Sequence, residues 1–314
     1  MTGFGYNING FGVGSSAAVF ERGIFAGGTG RINVIQYIDI ATLGDATDFG
    51  DLSASKDEMS SMSNLTRGIV AGGSSGSEIN VMEYVTIATT GNTTDFGDLL
   101  ANVRQASQGS INSATRGIIG GGWAGGVSNV IQYVTIGSTG NATDFGDVQA
   151  GTGRGYLMSS CSSSTRGIFA GGGSASVDNT HIDYITISST GNATDFGDVT
   201  VGRDGLSGCS SSVRGLFSQG YTGSGFVNTI DYITIASTGN ATDFGDMGNA
   251  SRNSSACNGP TRAVIHAGAS GYPYSSNIME YVTIASTGNS SDFGDLTEAA
   301  GGRTGFSSAN GGSV

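Results

Sequence analysis

The sequence predicts an all-β protein made of six copies of one four-stranded unit. Three markers carry that reading. An Arg followed by an apolar run stands at Arg22, Arg67, Arg116, Arg166, Arg214 and Arg262. A Tyr inside an alternating segment recurs at Tyr37, Tyr84, Tyr133, Tyr184, Tyr232 and Tyr281. The Phe of DFGD recurs at Phe49, Phe96, Phe145, Phe196, Phe244 and Phe293. From Arg22 to Arg262 the chain covers 240 residues in five steps, a mean of 48. Repeats at such a period mean stacked supersecondary units.

The unit beginning at Gly205 shows how each element is read. The small-residue stretch LSGCSSS (Leu206 to Ser212) is an inner strand, and RGLFSQG, matched elsewhere by RGIFAGG, is an apolar second strand. A loop of variable length leads to IDYITI, whose period-2 alternation marks a third strand. STGNAT reverses the chain and DFGDM begins a short last strand. No segment has the i, i+3, i+4, i+7 pattern of an amphipathic helix. One unit offers about five large apolar side chains, roughly 10 kcal/mol of gross burial. Ordering its residues costs several times more, so units must stack face to face. Six antiparallel four-stranded units are suited to radial closure into a β-propeller, which also protects the sheet edges.

Composition narrows the function classes. The chain has 314 residues, 56 of them Gly and 2 Pro, and 37% hydrophobic residues, enough for a core. A net charge of −12 disfavours a nucleic-acid partner. No apolar run reaches the ~18 residues of a membrane helix, so membrane insertion is not expected. The opening MTGFGYNINGFGVG has neither a basic n-region nor an apolar h-region, and export by a leader is not expected either. Cys161, Cys209 and Cys257 stand 48 residues apart in successive inner strands, where reduced buried thiols are the default.

The order of segments resembles the kelch repeat. The double Gly appears as Gly27-Gly28, Gly72-Gly73, Gly121-Gly122 and Gly171-Gly172, and departs to Gln219-Gly220 and Ala267-Gly268. Phe of DFGD stands where kelch has Trp. The kelch Arg before the inner strand matches Arg104, Arg154, Arg203, Arg252 and Arg303, with Lys56 in the first unit. The wording YITIASTGNATDFGD is similar to kelch-like repeat proteins encoded by marine tailed bacteriophages. The resemblance implies a six-bladed kelch-like propeller and a non-enzymatic virion structural protein of the neck, tail, fibre or capsid decoration. Its partners would be other virion proteins and its location the virion. The alternative is a carbohydrate-binding adhesin for a host surface glycan.

Seven inner-strand-like segments compete for six places. Gly302 to Ser313 aligns without gaps on the stretch that begins at Gly202 and runs past Ser212, placing Phe306 on Leu206 and Ala309 on Cys209. The expected division is a propeller over 21–314 closed by the C-terminal strand (302–313). Residues 1–20 are then an arm, or in the alternative the inner strand of the first blade.

Chemical motifs are weak throughout. DFG lacks every other kinase element. Paired carboxylates such as Asp48 with Asp51 or Asp243 with Asp246 read as turn caps rather than calcium ligands. Asn92, Asn141, Asn192, Asn240 and Asn289, with Asp45 in the first unit, read as turn residues bonding their own backbone. Gly72 to Gly76 fits G-x-S-x-G and Gly120 to Gly125 fits G-x-G-x-x-G, but no helix follows either. His181 and His266 sit at non-equivalent repeat positions. No catalytic set, metal site or cofactor is therefore expected. Antiparallel blades place the second-to-third loops and the blade connections on one face, and both vary from unit to unit. Trp123, Tyr221, Tyr272 and Tyr274 lie in those loops and are expected to bind a partner.

Overall fold

A computed structural model describes residues 21–149, 155–174, 177–269 and 275–309. It is a six-bladed propeller, each blade a four-stranded antiparallel sheet. Blade 2 runs in simple order through Ser60–Ser63, Arg67–Ala71, Val81–Thr86 and Thr94–Asp98. The inner strands of blades 3 to 6 are Ile111–Asn112, Ser159–Ser162, Ser207–Ser210 and Ser255–Asn258. Blade 1 is shared between the two ends of the chain. Its Arg22–Ala26, Val34–Asp39 and Thr47–Asp51 pair with the C-terminal Thr304–Ser307, in the register Ile24↔Phe306. Residues 1–20 lie outside the described residues.

Phe306 therefore takes the place of Cys209, which faces Leu216, and not of Leu206. The gapless alignment of the C-terminal segment is off by three residues. Its G-R-x-G string matches Gly202 to Gly205 by accident. Backbone bonding at the ring mouth instead puts Gly302 where Gly205 stands.

The three sequence markers form one interlock, repeated six times. Each Arg guanidinium lies 4.1 to 4.5 Å from the centroid of its blade's Tyr ring. Each Tyr meets its Phe edge-on at 6.0 to 6.2 Å. The same Arg Nη1 donates at 2.7 to 2.9 Å to an Ile carbonyl of the next blade, from Arg22 to Ile87 round to Arg262 to Ile40. Cation–π attraction and a charge-assisted hydrogen bond thus tie neighbouring blades at each seam.

Two further ties close the ring. The side chain before each Tyr is always Gln, Glu or Asp, at Gln36, Glu83, Gln132, Asp183, Asp231 and Glu280, and each is buried. Each accepts an amide hydrogen from the preceding blade's connection at 2.7 to 3.3 Å, the last from Thr297 to Gln36. The position needs an acceptor oxygen, which all three residue types supply. The turn Asn does not bond its own backbone. Asn92, Asn141, Asn192, Asn240 and Asn289, with Asp45, accept the last DFGD amide of the neighbouring blade at 3.0 or 3.1 Å. DFGD is itself the outer strand rather than a turn cap. A Cβ on its Gly50 would overlap the Gly91 backbone of the next turn, so Gly is what lets the turn dock.

The axial wall is small and polar. Ser210 Oγ donates to Ser162 O at 2.7 Å, Asn258 Nδ2 to Ser210 O at 2.6 Å and Ser307 Oγ to Asn258 O at 2.6 Å. Cys161, Cys209 and Cys257 are free and buried, with burial pushing all three thiols up. The void beside Cys209 and Cys257 is about 10 Å³, room for one water at most.

His266 occupies the place that Ala26, Ala71 and Ala170 fill in other blades. It is fully buried, with Nε2 2.8 Å from Ser276 O and Nδ1 3.4 Å from Ser255 Oγ. The neutral tautomer with its hydrogen on Nε2 satisfies both contacts. Burial pushes the imidazole down to about 4, below its ordinary 6.5. A depressed histidine leaves stability intact above pH 6.5 and removes it as pH falls toward 4. Wild type should be about 2 kcal/mol less stable at pH 5 than at pH 7.5 on this account. His266→Ala should remove that share of the pH dependence in urea titrations. An unchanged slope would contradict it.

Candidate functional site

The connections and the second-to-third loops meet on one face, as backbone bridges show. Asp57 pairs with Ser74, Arg104 with Trp123, Tyr156 with Gly173, Asp204 with Tyr221 and Arg252 with Ala269. In blade 1 Thr29 N donates to Gly301 O at 2.7 Å. The hairpins that begin at Asn64, Ser113, Ser163 and Ser211 lie on the other face with the Asn-bearing turns. There each side-chain oxygen caps the amide three residues on, at 2.9 to 3.2 Å.

At the centre of the variable face the chain forms a closed circle of hydrogen bonds. Glu58, Gln105, Leu157, Gly205, Asn253 and Gly302, one from each connection, all adopt left-handed backbone with φ between 48° and 65°. The amide of each donates to the carbonyl of the one before it, at 2.8 to 3.1 Å, and Glu58 closes the circle on Gly302. Four of the six are not glycine, so the conformation is held against its intrinsic cost. Such strain clusters where a site is pre-organised.

Above this circle lies a cup of about 300 Å³. Its walls come from residues of the circle and those flanking it, which differ between neighbouring blades. Arg104 Nη1 donates to Glu58 Oε2 at 2.8 Å and its Nε to Glu78 Oε1 at 3.0 Å. Gln105 Nε2 donates to Glu58 Oε1 at 2.6 Å. Arg252 lies 4.0 Å from Asp204 and 5.3 Å from the Tyr221 ring centroid. Burial, then the neighbouring Glu58, pushes the Asp57 carboxyl up to about 6, against the opposing pull of Arg31 and Arg104. Burial and Glu58 also push the Tyr156 phenol up.

Of the expected partner-binding residues, Trp123 and Tyr221 occupy equivalent places on the rim, both half-buried. Trp123 packs edge-on against Tyr156 at 5.7 Å. Tyr221 packs on Phe226 at 5.4 Å, and its hydroxyl donates to Gly223 O at 3.0 Å. Tyr272 and Tyr274 lie outside the described residues. Sequence reading missed the cup residues themselves, Asp57, Glu58, Gln105, Tyr156, Arg252 and Asn253.

The five arginines aligned on the kelch Arg do not share a place. Lys56 and Arg203 stand two residues before the circle, buried against Glu83 and Asp231. Arg104 and Arg252 stand one before it, on the cup. Arg303 follows it and donates to Gly27 O at 2.9 Å. Arg154 lies outside the described residues. Connections of different length displaced the alignment. Among the described residues no His, Cys, Asp and Glu group is placed to hold a metal ion.

No family model matches the chain, and no curated protein matches it. The propeller stands on its geometry, and the kelch and phage likeness rests on the repeat wording.

Proposed function

We propose that the protein is a non-enzymatic structural component of a virion, working as a binding propeller that presents its variable face to a partner. One observation carries the reading: the Arg–Tyr–Phe interlock is kept in all six blades, whereas the residues around the cup change between neighbouring blades. Seam contacts must repeat for the ring to close, whereas the mouth is free to differ. Its Trp123, Tyr156 and Tyr221, with Arg104 and Arg252, are the residue types that anchor interfaces. The likeness to phage-encoded repeat proteins supports the virion, and other virion proteins are the partners it implies. The mixed polar and aromatic cup favours a second reading, an adhesin for a host surface glycan.

A mass-spectrometric inventory of purified phage particles from the source should find the chain at fixed stoichiometry; its absence would overturn the virion reading. Trp123→Ala combined with Tyr221→Ala should lower incorporation or partner binding by about tenfold or more. The melting temperature should barely move. Thr139→Ala combined with Thr238→Ala, on the exposed turns of the other face, should leave binding intact. The reverse pattern would assign binding to the turn face.

A further inference from the structure

We propose that the axial cup is a subsite for one neutral saccharide unit, a proposal that rests on the variable face being the binding face. Along the inner strands the void lined by Ser110, Ser210 and Asn258 is only about 10 Å³, too small to pass a ligand. The cup's volume of about 300 Å³ lies at the small end of ligand sites, which fits one sugar ring and not a folded surface. The circle of six hydrogen bonds fixes its floor, so little ordering is needed on binding.

The polar groups left unfilled are of both kinds. Gln105 is 5% exposed, and its Oε1 has no partner among the described residues; the same holds for Asn253 Oδ1. Both are acceptors. Arg252 Nε is a donor with no partner among the described residues. A ligand of donors alone, such as an ammonium group, leaves Arg252 unanswered. One of acceptors alone leaves the two amide oxygens unanswered. A sugar hydroxyl donates and accepts at once and answers both.

Charge points the same way. Arg104 is shared between Glu58 and Glu78, and Arg252 stands beside Asp204, so both cations at the cup face carboxylates. Burial pushes the Asp57 carboxyl up to about 6, which eases its neutralisation by a ligand hydroxyl or by mild acid. A cation meets Arg104 and Arg252, and an anion meets Asp57 and Glu58. Tyr156 supplies an aromatic surface of the type that packs on the C–H face of a sugar ring.

The full chain should be titrated by calorimetry and saturation-transfer NMR with methyl glycosides of glucose, galactose, mannose and N-acetylglucosamine. Glucosamine and galacturonate serve as charged controls. At least one neutral glycoside should bind in the millimolar range and outcompete both controls. Gln105→Gly and Asn253→Gly keep the left-handed backbone and remove the whole side chain, that of Gln105 including the Nε2 bond to Glu58 Oε1. Each should weaken binding about tenfold or more in a protein that still unfolds cooperatively, and Asn253→Gly should leave the melting temperature closest to wild type. Binding that survives both substitutions overturns the subsite, as does preference for a charged control. If no glycoside binds while Trp123→Ala with Tyr221→Ala still impairs incorporation, the saccharide proposal falls and the binding face stands. If both experiments fail, both readings fall.

Discussion

Gly68→Ala should destabilise the protein by about 3 kcal/mol or more, the upper end of what overpacking costs. Gly68 has ordinary extended backbone, so the effect is steric alone. A Cβ there would fall inside the ring of Phe306, the side chain that the closing strand inserts across the seam into blade 2. The same insertion occurs around the ring. The built Cβ of Gly117 would come within 2.8 Å of Met62, and that of Gly215 within 2.6 Å of Cys161 Sγ. Blade 6 is the natural exception, with Ala263 where the others have Gly, and the side chain facing it is the small Cys209. The pair can therefore be exchanged. Phe306→Cys alone should cost about 3 kcal/mol through the cavity it leaves. Gly68→Ala added to it should cost less than Gly68→Ala in wild type, because the methyl enters part of that cavity. Urea titration of the four proteins measures the coupling. Additive losses would show that Phe306 does not set the requirement for Gly at position 68.

The Arg, Tyr and Phe markers were legible because they do the same job in every blade. An interlock that closes a ring must be made six times with the same side chains, and the repetition survives in the sequence. The turn Asn was equally visible, but its partner was not. A local bond to its own backbone and a bond across a seam leave the same residue in the same place. The register of the C-terminal strand was misread for a related reason. Local identity between Gly302 to Gly305 and Gly202 to Gly205 is a short-range signal, whereas Phe306 entering blade 2 and Gly302 joining the circle are set by residues far along the chain.

The cup was legible only as variation. Asp57, Arg104, Tyr156, Asp204, Arg252 and Gly301 are equivalent in space, but neighbours in the ring differ in charge and size and only Asp and Arg occur twice, so no motif search unites them. Trp123 and Tyr221 were within reach because they follow the double-glycine segment, which anchors the alignment of the second-to-third loops. The cup residues sit in connections whose length differs, and that removed the frame of reference.

That frame, once restored by the circle, exposes a pairing that leads to the second large effect. The residue two before the circle stands with the acceptor on the third strand of its own blade. Lys56 goes with Glu83, and Arg203 with Asp231 at 2.9 Å, all four buried. Val103 and Ala300 hold the same place in the blades of the uncharged Gln132 and Gln36, whereas Gly155 and Ser251 hold it in the blades of Asp183 and Glu280. Lys56→Val alone should cost about 3 to 5 kcal/mol, the penalty for leaving a buried charge without its partner. Lys56→Val with Glu83→Gln should lie within about 1 kcal/mol of wild type, because it gives blade 2 the pairing of blade 3. The amide of Ser53 would still find its acceptor oxygen, as that of Leu100 does on Gln132. pH supplies a second readout. Burial pushes the Glu83 carboxyl up, and Lys56, Thr93 and Ser53 together hold it below its usual range. A depressed carboxylate contributes stability above its unfolded value of 4.5, and that stability is lost as pH falls through the folded value. Without Lys56 burial is opposed only by the two hydrogen bonds, so the carboxyl titrates higher and the single variant recovers part of its loss as pH is lowered toward 5. Denaturant titrations at pH 7.5 and pH 5 test both claims. A double variant as unstable as the single one, or a single-variant penalty that does not shrink at pH 5, would show that the charge pairing is not what holds blade 2.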